Sequence, residues 1–118
     1  MLFRSNVYFA GFNVHVRSGA GATSGAINGL GNLIVGYDES SGDDKTGSHN
    51  LVVGPNHAYS SYGGFVAGNA NKVTGPSSSV SGGIFNTASG YYSSVSGGSN
   101  REAAGEDDWR AGSVFEDD

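Results

Sequence analysis

A glycine that returns about every seven residues is the strongest constraint in this chain. One series runs Gly36, Gly54, Gly68, Gly82, Gly97 and Gly112, preceded by the words "LIV", "LVV", "FVA", "SVS", "SVS" and "WRA". A second interleaves at Gly29, Gly47, Gly75, Gly90 and Gly105, with Ser61 in one glycine's place. The spacing within each series is 14 residues and becomes 15 from Gly75 and Gly82 onward. The interval from Gly36 to Gly54 is longer, 18, with an insertion inside "YDESSGDDKTG". A seven-residue unit ending in Gly is too short for a helical repeat and suits a short strand with a corner. Gly takes corners because it accepts positive φ without steric cost. Two units make one coil, and coils stacked about 4.8 Å apart make a parallel β-solenoid.

The position two before each corner holds Ile27, Ile34, Val52, Tyr59, Val66, Val73, Val80, Ala88, Val95 and Ala103. This is the expected inward column. Four before each corner sit Asn32, Asn50, His57, Asn71, Ser78, Asn86 and Ser93. Their parity puts them on the same face, where stacked amides and hydroxyls can form ladders between coils. Lys45, beside the insertion, and Arg110, in the last coil, break the apolar column.

The two strands of a coil are not equivalent. Leu33 and Val35 flank Ile34, Leu51 and Val53 flank Val52, and Phe65 and Ala67 flank Val66. A strand apolar on both faces is buried on both faces. The partner strands carry Asn, Ser, Thr and Lys outward instead. Two or three small inward side chains do not offset the entropy of ordering a whole coil. A second buried face is therefore expected, supplied by further copies of the chain in a closed ring.

These words resemble the head repeats of YadA-type trimeric autotransporter adhesins, the Hep/Hag family. "NLIVG", "NLVVG", "SSVSG" and "NTASG" carry the resemblance, which runs from about Gly29 to Gly112. It implies a left-handed parallel β-roll of 14–15-residue coils, assembled as a homotrimer, in a surface adhesin that contacts host matrix or other cells. The chain shows no heptad stalk, membrane-anchor barrel or signal-peptide stretch, so the resemblance supports the fold more than the role.

The expected organisation is an N-terminal strand segment over 1–22, a roll over 23–112 with an acidic insertion at 37–47, and an acidic tail over 113–118. In "NVYFAGFNVHVR", Phe12, Val14 and Val16 alternate with polar residues, the pattern of a strand with one apolar face. That strand either caps the first coil or pairs with another chain. At the other end Trp109 and Phe115 are expected to cover the last coil.

Charge excludes some partners. Six Lys and Arg are scattered through a chain of net charge −5, which leaves no phosphate-tracking patch for nucleic acid. No apolar run approaches the ~18 residues of a transmembrane helix, so membrane insertion is not expected. Cysteine is absent, which removes disulfides, thiolate metal sites and cysteine nucleophiles.

Chemistry is sparse. His49 and His57 fall near Asp43 and Asp44 but lack a metal-ligand spacing, and surface or interior hydrogen bonding is the better reading. "DESSGDDK" departs from the EF-hand pattern and reads as a solvated loop. There is no Gly-x-Ser-x-Gly elbow, and the Gly-rich "SGAGATSG" lacks a phosphate-binding Lys.

The residues point to a non-enzymatic module without cofactor or metal, extracellular or on a bacterial cell surface. Its partners are expected to be itself, as a homotrimer or a filament, and a host matrix, cell surface or glycan. Leu33, Val35, Leu51, Val53, Phe65, Phe12, Val14 and Val16 are the candidate assembly residues. Tyr62, Phe85, Tyr91 and Tyr92 are the candidate ligand contacts, since aromatics make good anchors. Two alternatives stand beside the adhesive head. One is a filament subunit that stacks end to end through its N-terminal strand; the other is a phage or injection-machine fibre tip.

Overall fold

The computed structural model describes residues 5–112. The expected tail at 113–118, with Phe115, lies outside the described residues. Ten short strands follow in order: β1 (Leu33–Val35), β2 (Leu51–Val53), β3 (Ala58–Tyr59), β4 (Phe65–Ala67), β5 (Lys72–Val73), β6 (Ser79–Val80), β7 (Thr87–Ala88), β8 (Ser94–Val95), β9 (Glu102–Ala103) and β10 (Trp109–Arg110). They form two parallel sheets. One has six strands in the order β1-β2-β4-β6-β8-β10, the other four in the order β3-β5-β7-β9. From β2 onward the chain alternates between them, so each circuit lays one strand on each sheet; the circuit from β1 to β2, which holds the insertion, lays none on the four-stranded sheet. The fold is an all-β parallel solenoid of about five turns.

Register follows the glycine spacing. Ile34 pairs with Val52, Val52 with Val66, Val66 with Val80, Val80 with Val95 and Val95 with Arg110. On the second sheet Tyr59, Val73, Ala88 and Ala103 stack in the same way. Val52, Val66, Val80, Val95, Tyr59, Val73, Ala88 and Ala103 form one closed core. Ile27 departs from the expected column. It lies in no strand and is 44% exposed, because among the described residues no strand precedes β1 to stack on its outer side. Ile34 is in register but also exposed, since β1 is the edge strand.

The polar column is buried and joins the coils. Asn71 Oδ1 accepts the Asn86 N–H at 2.8 Å, and Asn86 Oδ1 accepts the Arg101 N–H at 2.8 Å. Their Nδ2 groups donate to carbonyls within the coil and in the next one, from Asn71 to Ala67 and Gly83 and from Asn86 to Gly82 and Gly98. The hydroxyls of Ser78 and Ser93 close the opposite corner on the Gly75 and Gly90 carbonyls. Each amide therefore replaces water for main-chain groups that the turn leaves unpaired. The contact runs from side chain to main chain, with Asn50 Nδ2 to Asn32 Oδ1 as an added amide-to-amide bond.

An added Cβ at Gly54, Gly68, Gly75 or Gly90 would run into a main-chain oxygen of the next coil, and only the first two add a conformational reason. Gly54 and Gly68 do adopt left-handed φ, of 100° and 101°. Gly75 and Gly90 do not; there an added Cβ would run into the main-chain oxygen of Gly90 or Gly105 in the next coil. Close coil-to-coil approach, not backbone freedom, selects glycine in that series. Among the described residues nine further positions with left-handed φ are not glycine. Asn56, Ala70, Phe85 and Asn100 occupy one such column and His49, Gly63, Ser77, Tyr92 and Asp107 the other.

Candidate functional site

The outer face of the six-stranded sheet carries the expected apolar residues. Register places Leu33, Leu51, Phe65, Ser79, Ser94 and Trp109 in one outward column. Val35, Val53 and Ala67 make the neighbouring one over the first three strands. Leu33, Val35 and Leu51 are exposed, and Val53, Phe65 and Ala67 are half-buried. An apolar patch therefore covers β1, β2 and β4, gives way to serines on β6 and β8, and ends on an exposed tryptophan. The four-stranded sheet faces outward with Lys72, Thr87 and Glu102. Only one face of the roll is apolar, as the two unlike strands of each coil require.

Phe12, Val14 and Val16 are not part of that patch. Residues 5–17 belong to no strand, and each of these three side chains is exposed. The alternation is that of a strand, but a strand needs a neighbour to supply its ladder, and the described residues offer none to the segment. What the structure does order is the residue that follows. The Ser18 N–H donates to His49 Nε2 at 2.9 Å, and His49 Nδ1 lies 3.1 Å from the Thr23 carbonyl. An N–H on one nitrogen and a C=O on the other place the imidazole proton on Nδ1. His49 thus clamps residues 18–23 onto the first coil, and Asn28 adds a main-chain bond to Ser48 Oγ.

The acidic insertion does more than form a solvated loop. Lys45 Nζ donates to Asp38 Oδ1 at 2.8 Å and to the His57 carbonyl at 2.7 Å. The Tyr59 hydroxyl donates to Asp38 Oδ2 at 2.6 Å, and Lys45 Nζ lies 5.3 Å from the Tyr59 ring centre. Lys45 closes the end of the column at Tyr59: its ammonium sits over the Tyr59 ring while its charge is met by Asp38. Burial, then the bond to Asp38 and then the Asp38 charge raise the Tyr59 phenol well above its ordinary pKa. At the loop's far side the Thr46 hydroxyl, then the Thr46 N–H, hold the Asp44 carboxyl below its ordinary value.

The remaining candidates are separated. His57 is fully buried with both ring nitrogens on main-chain groups, Val53 O and Asn71 N. His49 is committed to Ser18 and Thr23. Among the described residues no three His, Cys, Asp or Glu side chains gather as a metal-binding group. Tyr62, Tyr91 and Tyr92 lie at the corner leading into the six-stranded sheet, and Phe85 at the opposite corner. Tyr91 and Tyr92 meet ring to ring at 6.0 Å and 59°. Phe85 and Tyr92 are bulky residues at φ 58° yet more than half exposed, so packing does not repay their strain.

No protein-family model matches the chain, and comparison with curated proteins and with solved structures finds no similar one. Among the described residues no helix is long and apolar enough to cross a membrane.

Proposed function

We propose that the chain is a non-enzymatic structural and adhesive module that works as a homotrimer. In this reading three left-handed rolls pack through the outer face of their six-stranded sheets. Leu33, Val35, Leu51, Val53 and Phe65 line the seam. The serine-rich rows on β6 and β8 form a looser, hydrated continuation of it. The polar four-stranded sheet and the tyrosine corner at Tyr62, Tyr91 and Tyr92 face outward, where they meet a host matrix, a cell surface or a glycan. The module's place is extracellular or on a bacterial surface.

The observation that carries the reading is the contiguous apolar patch on β1, β2 and β4. A patch of that kind on one face of an otherwise polar roll marks an interaction surface. A ring of identical copies covers it with no face left over. The adhesive part rests on the resemblance of the repeats to Hep/Hag heads. Light scattering tests the assembly: the chain runs as a trimer, and Leu51→Asp with Val53→Asp converts it to monomer. A wild-type monomer at all concentrations overturns the reading.

A further inference from the structure

The two ends of the roll differ in charge, in apolar exposure and in what their edges lack. β1 and β10 are the edge strands of one parallel sheet, so among the described residues each presents a row of main-chain groups without a neighbouring strand. At the β1 end, residues 5–17 are unpaired, with Phe12 81% exposed. Ser18, fixed by His49, sets the point from which this segment leaves the roll. The first 36 residues contain Arg4 and Arg17 and no acid. Residues 100–118 contain seven acids against two arginines. Four of those acids, Glu102, Glu106, Asp107 and Asp108, are exposed around β9 and β10, beside Trp109 at 67% exposure.

We infer that the acidic end of one copy receives the N-terminal segment of the next. Residues 6–17 of the incoming copy add along the free edge of β10, with Phe12 against Trp109 and with His15 and Arg17 facing the carboxylates of the last coil. The segment's own β10 is five strand spacings away, roughly 24 Å at 4.8 Å each. A segment lying along the strand direction therefore reaches only another molecule's β10. The contact joins unlike surfaces, so repetition gives an open filament rather than a ring. It uses the ends of the roll and leaves the apolar side face free, and so does not rest on the trimer.

The test is electron microscopy and sedimentation of the full chain across concentration. The expected result is filaments with an axial repeat of about 29–34 Å, six or seven strands at 4.8 Å. Phe12→Asp with Val14→Asp raises the assembly threshold at least tenfold, and so does Glu102→Lys with Glu106→Lys. Arg17→Glu in one copy restores assembly with the Lys-bearing copy. Leu51→Asp with Val53→Asp narrows the filament but keeps its repeat. Discrete trimers at every concentration overturn the inference and leave the trimer standing. Filaments indifferent to Phe12→Asp with Val14→Asp, or capture of an unrelated protein by the acidic end in place of a second copy, overturn it as well.

Discussion

His57 takes the place of an asparagine on the rung below Asn71. Its Nδ1 accepts the Asn71 N–H at 3.1 Å, as Asn71 Oδ1 accepts the Asn86 N–H at 2.8 Å. Its Nε2 reaches the Val53 carbonyl at 2.8 Å, four residues back, as Asn71 Nδ2 reaches Ala67 at 2.7 Å. The two side chains place an acceptor and a donor at matching positions. His57→Asn should therefore keep stability within about 1 kcal/mol, whereas His57→Leu strands two buried main-chain groups and should cost about 2–4 kcal/mol. Urea denaturation of the two variants measures the difference.

The glycines separate by cause. Gly90→Ala drives a methyl group into the next coil's main chain at Gly105, and should cost several kcal/mol or prevent folding. Gly82 has open space around its Cβ position and an ordinary φ. Gly82→Ala should be neutral or stabilising by up to about 1 kcal/mol, through the unfolded chain. Thermal melts of both variants decide whether glycine is required at every corner.

The lid over the core gives an alkaline limit. The Tyr59 pKa is raised in the folded state. Its contribution is therefore complete below the unfolded tyrosine value of about 10 and is lost as pH climbs from there toward the folded value. The urea midpoint should fall above about pH 10. Tyr59→Phe should lose that limb and cost about 1 kcal/mol at neutral pH, the worth of its bond to Asp38.

His49 is expected to control the base of the N-terminal segment. His49→Gly removes the ring and relieves the left-handed φ of 58° at once. The core should keep its stability, while the Ser18 amide loses protection and hydrogen exchange over residues 18–23 speeds up at least tenfold. Unchanged exchange at Ser18 would show that the clamp is not His49.

The core was legible because glycine spacing sets register, and register sets which side chains face in. Val80, Ala88 and Val95 can be placed from three glycines alone. Ile27 fits the same spacing but lies before the first strand, and periodicity carries no information about where stacking begins. Lys45 was legible as a break in the column. Its role as a lid was not, because the position of Asp38 depends on a loop without a period. The left-handed turns at Phe85 and Tyr92 were hidden by residue type, since bulky side chains argue against that conformation. For the candidate assembly residues, the sequence placed Leu33, Val35, Leu51, Val53 and Phe65 together on one face through parity. It placed Phe12, Val14 and Val16 on a strand, and the alternation of a strand does not say which molecule supplies its neighbour.

Because Asn71 and Asn86 bind main chain rather than particular side chains, the polar rung of each coil recognises the next one as a backbone, and the small apolar core residues repeat beside it. A coil can then be excised or duplicated as a 15-residue block, and the rungs on either side will meet as before. The molecule is a ruler with one graduation per circuit. Its length changes in whole steps of about 4.8 Å, while its lid and its charged ends stay the same.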